Sequence, residues 1–141
     1  MQADKKICAA HVENLPLVSE FVEQRADHFG LETKKKIGLL VALEEAFVNV
    51  CSYAYPVGEG EVELACSAQD DAFVLEIADK GLPFDVLSLP DPDTGLGIME
   101  REIGGLGVYF IRRLTDDVSY RRENGQNILR LVLRRAELGK A

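Results

Sequence analysis

The sequence predicts a two-layer α/β (α+β) sandwich, a mixed, mainly antiparallel sheet with helices on one face. Three observations predict it. Two stretches near the N-terminus space their apolar residues at helical intervals, and two pairs of strand-like runs each close on a tight-turn sequence. The 141 residues also show no repeat, linker or low-complexity tract, so residues 1–141 read as one domain with a core of its own.

The elements follow in order. Ile7, Ala9 and Val12 mark a short edge strand, and Pro16 opens a helix with Leu17, Val18, Phe21, Val22 and Ala26 inward until Gly30 ends it. A second, longer helix starts with Thr33 as N-cap. It runs through Ile37, Leu40, Val41, Ala46, Phe47 and Val50 until Tyr55-Pro56 stops it. Strands over 61–67 and 72–78 flank the turn Gln69-Asp70-Asp71. In the second strand Phe73, Leu75 and Ile77 alternate with Val74, Glu76 and Ala78, the period of a strand with one face on a core. The proline- and glycine-rich stretch from Gly81 to Gly107 has little periodicity, and a loop of that length in a compact domain is usually functional. A helix over 107–114 and two strands, 118–122 and 128–133, around Asn124-Gly125 complete the chain.

Composition narrows the function. Sixteen Lys and Arg against 24 Asp and Glu give a net charge of −8. Broad nucleic-acid binding draws its affinity from cationic side chains on phosphates, so no direct nucleic-acid partner is expected. A 47% hydrophobic share with 28% charged residues is that of a folded chain, not a disordered one. Cys8, Cys51 and Cys66 are an odd number without CxxC spacing and suit reduced thiols. No secretory signal opens the chain, and its longest uncharged stretch, 46–58, is too short to span a bilayer. A soluble, cytoplasmic protein away from membranes is expected.

Three constellations carry candidate chemistry. Glu45 and Asn49, four apart, project from one face of an otherwise apolar helix. Such a pair either faces solvent and caps backbone, or lines a wet pocket where the amide oxygen coordinates Mg²⁺ and the carboxylate deprotonates an attacking hydroxyl. Glu44 is rotated away from Asn49. Asp79-Lys80-Gly81 ends a strand and opens a loop; it is either a plain turn or a carboxylate placed to accept a hydrogen bond from an exocyclic amine beside a residue with no side chain. Gly104-Gly105-Leu106-Gly107 runs into a helix, as a hinge or as an anion cradle at the positive end of the helix dipole. No Walker or dinucleotide fingerprint fits. His11 and His28 have no triad partners, and Lys34-Lys35-Lys36 reads most simply as a solvated face, or else as a basic patch for an acidic partner.

Taken together, Glu45-x-x-x-Asn49, Asp79-x-Gly81 and Gly105-Leu106-Gly107 make the chain resemble the Bergerat-type, histidine-kinase-like ATPases shared by sensor histidine kinases, gyrase-like proteins and heat-shock chaperones. Within that group it is most similar to the anti-sigma factor serine/threonine kinases, through residues 42–55, 77–85 and 104–118. The resemblance implies ATP and Mg²⁺ as cofactors, Asn49 as metal ligand and Glu45 as catalytic base. It further implies that Asp79 and Gly81 meet adenine, that Gly104, Gly105, Leu106 and Gly107 hold phosphates, and that residues 87–103 form the lid. Arg101 in that lid is either a γ-phosphate contact or a solvated arginine. It implies phosphorylation of a STAS-domain anti-sigma factor antagonist, binding of a sigma factor, and a homodimer. The chain carries Tyr53 where many relatives have His. It has Gly125-Gln126-Asn127 where they often have Gly-x-Thr, so Asn127 brings an amide close to the nucleotide in place of a hydroxyl. The alternative expectation is a nucleotide-binding partner-switching module without kinase activity.

Overall fold

A computed structural model describes residues 3–88 and 110–135. Its elements are β1 (Asp4–Ala9), α1 (Leu15–Phe29), α2 (Thr33–Tyr53), β2 (Glu61–Gln69), β3 (Ala72–Asp79), β4 (Asp117–Glu123) and β5 (Gln126–Arg134). Residues 110–113 are also helical, within the stretch expected to be a helix.

β1 stops at Ala9, where Asn14 Nδ2 donates to the Ala9 carbonyl at 2.9 Å, and Val12 enters a 3-10 turn rather than the strand. Pro16 lies in the first turn of α1, where its missing N–H costs nothing. Gly30 ends α1 with φ 87°, its N–H shared between the Ala26 and Asp27 carbonyls. Thr33 is the first residue of α2 rather than its cap. Glu32 takes the cap position without a side-chain hydrogen bond, while its N–H donates to the Arg135 carbonyl. The β4–β5 hairpin turns on Asn124 and Gly125, both at positive φ (53° and 76°), the geometry that suits the right-handed twist of the strands.

The strands form one sheet in the order β1-β2-β3-β5-β4, and every pairing among them is antiparallel. Alternation places Val62, Leu64 and Cys66 of β2, Phe73, Leu75 and Ile77 of β3, and Leu129, Leu131 and Leu133 of β5 on one face. Val18, Val22 and Ala26 of α1 and Leu39, Ala42, Leu43, Ala46 and Phe47 of α2 close over that face as a single core. Both helices therefore lie on the same side of the sheet, as the two-layer expectation requires.

The lysine run is not a uniformly solvated face. Lys35 is 7% exposed, and its Nζ donates to Asp116 Oδ2 at 2.8 Å. Asp116 Oδ2 also accepts the Arg134 N–H at 2.7 Å. Burial pushes the Asp116 carboxyl up, but the Lys35 hydrogen bond, the Arg134 N–H and the two positive charges outweigh it and hold the group below its usual value. Asp116→Ala strands the Lys35 ammonium, so unfolding in urea is expected to show a loss of about 3 kcal/mol. Because the folded pKa is depressed, the wild-type contribution is present above the unfolded value of 3.8 and disappears as pH falls through the lower folded one. A variant as stable as wild type at neutral pH would refute this assignment.

Candidate functional site

At one end of the sheet the core face turns polar. The row Phe73, Leu75, Ile77 continues to Asp79, the row Leu133, Leu131, Leu129 continues to Asn127, and Val118 and Tyr120 of β4 continue to Arg122. The register sets Asp79 opposite Asn127 and Asn127 opposite Arg122, so period-two alternation delivers all three to the helix side. Asn49 and Tyr53, one turn apart on α2, face this end. Together with Val50, Ala54, Leu82 and Phe84 they enclose a cavity of about 30 Å³ against Asp79 and Asn127.

The polar floor is tightly bonded. Asp79, 6% exposed, accepts the Gly81 N–H and Asn127 Nδ2 on the same oxygen, Oδ1, both at 2.9 Å. Asn127 Nδ2 also donates to the Leu82 carbonyl at 2.8 Å, while its Oδ1 accepts the Phe84 N–H at 3.1 Å and the Tyr120 hydroxyl at 2.6 Å. The loop after β3 is held from the other side as well. The Lys80 N–H donates to the Tyr55 hydroxyl at 2.8 Å, the Tyr55 hydroxyl donates to the Glu61 carbonyl, and the Leu82 N–H donates to the Ala54 carbonyl. Arg122 reaches the Gly81 carbonyl at 2.9 Å. Every backbone N–H from 80 to 84 is thus engaged, Pro83 having none.

Gly81 has a steric reason in this structure: a Cβ there would stand 2.2 Å from the Ala54 carbonyl oxygen and 2.5 Å from Ala54 Cβ. Loop and helix end can touch only because position 81 has no side chain.

Asn49 behaves differently from the residues below it. Its Nδ2 is buried and has no hydrogen-bond partner among the described residues. Leaving a buried donor unmet costs about 1–3 kcal/mol, so an orphan amide on a cavity wall is a group whose bonding a ligand can complete. The enclosed space has room for a water, and anything larger must lie against Tyr53, Leu82 and Phe84, which are 39%, 56% and 39% exposed. The Tyr53 and Phe84 rings stand 6.3 Å apart. A larger hollow of about 410 Å³ beside Glu59, Glu61, Glu63 and Lys80 also touches Asp79 but includes neither Asn49 nor Asn127, and one of about 200 Å³ beside Arg25, His28 and Cys66 includes none of the three.

Glu45 sits on α2 one turn before Asn49, half-buried, and is not part of the cavity wall. Burial first, and the neighbouring Glu44 charge second, raise its pKa above the ordinary carboxylate value. That is the direction a general base working near neutral pH requires.

Of the residues singled out in the sequence, the structure gathers Asn49, Asp79 and Asn127 around one cavity, with Gly81 two residues on and Glu45 one helical turn away. Arg101, Gly104, Gly105, Leu106, Gly107 and most of the expected lid lie outside the described residues. The lid's first residues, Leu87 and Ser88, belong to a 3-10 turn over Val86–Ser88, where Arg112 donates to the Leu87 carbonyl at 2.6 Å. The sequence reading placed Ala54 and Tyr55 at the end of the family-like helix 42–55 without a role in the site, and passed over Tyr120 and Arg122. Tyr120 and Arg122 had left a signal, since they continue the inward row of β4 past Val118.

Residues 8–133 match the histidine kinase-like ATPase domain family. The chain is similar to the serine-protein kinase RsbW of Bacillus cereus strain G9842, at 29% identity over 93 residues, which cover 63% of this chain and 58% of that protein. It is also similar to the serine-protein kinase RsbW of Bacillus mycoides strain KBAB4, at 25% identity over 108 residues, 74% of this chain and 68% of that protein. In the first comparison the chain spans somewhat under two-thirds of its relative's length. No described helix is long and apolar enough to cross a membrane. A family match running from β1 to β5, over a sheet with both helices on one side and a polar pocket at its end, identifies the chain as a member of the histidine kinase-like ATPase domain family.

Proposed function

We propose that this chain is an ATP- and Mg²⁺-dependent protein serine/threonine kinase of the anti-sigma type. It phosphorylates a STAS-domain anti-sigma factor antagonist and sequesters a sigma factor. The observation that carries the reading is the pairing, across one cavity, of the orphan Asn49 amide with a buried Asp79 whose two described hydrogen bonds both fall on Oδ1. An amide oxygen suits a hard cation and an amide N–H suits a phosphate or its water, while a carboxylate acceptor suits an exocyclic amine, so the residues fit ATP with Mg²⁺. When bound, the metal supplies charge neutralisation along the phosphates. The protein's own groups do the rest. Asn49 offers its amide to the metal and Asp79 orients the base, while the exposed Tyr53, Leu82 and Phe84 give the ring apolar contact. Glu45 takes the proton of the acceptor hydroxyl as its oxygen bonds to the transferred phosphoryl group and ADP departs. Gly104, Gly105, Leu106, Gly107 and Arg101 are assigned to the phosphates, and 87–103 to the lid, by the family resemblance alone.

A homodimer is part of the same proposal. β1 is an edge strand of the sheet and carries Ile7 at 56% exposure, which supports pairing with a second copy. The net charge of −8 supports protein partners over nucleic acid. A cytoplasmic location is proposed with them.

Calorimetric titration of ATP and ADP into wild type and Asn49→Ala, each with and without Mg²⁺, tests the site. Micromolar, Mg²⁺-dependent binding is expected in wild type and at least a hundredfold loss in the variant. Binding that ignores both metal and mutation would refute it. A second reading, a nucleotide-binding switch without kinase activity, is favoured by one observation, the place of Glu45 outside the cavity wall. Phosphoserine on a STAS-domain antagonist after incubation with ATP decides for the kinase.

A further inference from the structure

We infer that Tyr120 and Asn127 are positioning residues that hold the Asp79 carboxylate in one orientation, with Oδ2 as its uncommitted acceptor, and so sharpen the preference for a 6-amino over a 6-oxo purine. The inference rests on the nucleotide reading above and goes beyond it, since it takes Asn127 out of direct contact with the ligand and gives Tyr120 a role.

The Asn127 side chain has no unused hydrogen-bonding capacity. Its two N–H groups go to Asp79 Oδ1 and the Leu82 carbonyl, and its oxygen receives the Phe84 N–H and the Tyr120 hydroxyl. Its orientation is forced. The Phe84 N–H is only a donor and the Leu82 carbonyl only an acceptor, so turning the amide over would oppose donor to donor and acceptor to acceptor. The Tyr120 hydroxyl adds a second donor on the oxygen side. Nδ2 is therefore the atom presented to Asp79, and it occupies Oδ1 jointly with the Gly81 N–H.

That leaves Oδ2 as the acceptor of Asp79 not engaged by these bonds. Buried at 6% exposure, the carboxylate is held against rotation by two donors on its other oxygen. A 6-amino purine offers such an acceptor an N–H. A 6-oxo purine offers it another acceptor, which leaves two buried acceptors facing one another, the kind of mismatch that discriminates strongly between ligands. If the clamp is loosened, the carboxylate can swing away from an opposing acceptor and the penalty falls.

The test uses the full chain and calorimetry with ATP and ITP in the presence of Mg²⁺, melting temperatures confirming that each variant is folded. Wild type is expected to bind ATP about 100-fold more tightly than ITP. Tyr120→Phe, which removes a single hydroxyl, should narrow that ratio by about tenfold, mainly through weaker ATP binding, and Asn127→Leu should narrow it further. A purely structural role would weaken both nucleotides together and leave the ratio unchanged, and that result in folded Tyr120→Phe overturns the inference even if Asn127→Leu fails to fold. Wild type that binds both nucleotides equally also overturns it while the nucleotide reading stands. Wild type that binds neither removes the nucleotide reading and the inference together.

Discussion

Replacing Glu45 with glutamine is expected to slow serine phosphorylation by about 10²–10⁴-fold while leaving ATP affinity near that of wild type. Glutamine keeps the size and polarity of the side chain but cannot accept the hydroxyl proton. The pKa of Glu45 supplies a second signature. It is raised, by burial and then by Glu44, and a base works only when unprotonated, so the wild-type rate should climb as pH rises through that raised value. The variant should lose that limb of the profile. Stability moves the other way. A carboxyl whose folded pKa exceeds its unfolded value of 4.5 detracts from folding once pH passes that value and rises through the folded one. Glu45→Gln should therefore be no less stable than wild type at pH 7. Single-turnover formation of phosphoserine from about pH 5 to pH 9, with thermal melts alongside, checks both. Equal rates for the two proteins would remove Glu45 from the chemistry.

Gly81→Ala should be the most damaging single-methyl change in the pocket, costing about 2–4 kcal/mol of stability and at least a hundredfold in nucleotide affinity. The added carbon would meet the Ala54 carbonyl oxygen at 2.2 Å, and backbone at a helix end cannot rotate aside as a flexible side chain would. Relief requires the loop to lift away from α2. That movement breaks the Leu82 N–H to Ala54 bond and draws the Gly81 N–H from Asp79, so the carboxylate loses one of its two restraints. Gly58→Ala is the control. Gly58 sits at φ 82°, but nothing lies within 4 Å of a Cβ there, so only backbone strain of about 1–2 kcal/mol is added and binding is untouched. Denaturant melts and ATP titrations of the two variants separate the outcomes; equal losses would mean that contact with Ala54 is not what position 81 protects.

Most of the architecture was legible in the sequence because its signals were redundant. Phe73, Leu75 and Ile77 marked one face of β3 by alternation, and Asn124-Gly125 marked a hairpin whose left-handed dihedrals the structure has. The Glu45–Asn49 spacing put both residues on one stretch of helix. What escaped were relations that no local pattern encodes. Lys35 sits in a run of three lysines, and only the fold brings Asp116, 81 residues away, against it. Tyr55 looked like the residue before a helix-stopping proline, yet its hydroxyl bridges Glu61 and Lys80. Asn127 read as a residue at the nucleotide. The register that sets it opposite Asp79 also makes it a brace between two strands and a loop, which its local sequence did not show. Val12 and Thr33 were misplaced at element ends, where the local Asn14 to Ala9 bond closes β1 and the distant Glu32 to Arg135 bond fixes the start of α2.

The strand order also dictates when the pocket can exist. β3 lies between β2 and β5, and Asp79 waits for Asn127, 48 residues further along the chain. A polypeptide emerges from the ribosome N-terminus first, and contacts between distant residues close late. While α1, α2, β2 and β3 are already outside, the carboxylate that would hold the base still lacks its neighbouring strand and the amide that fixes it. The pocket is therefore unfinished until β5 has been delivered, and a ligand that needs the whole of it would stabilise only chains that have received that strand.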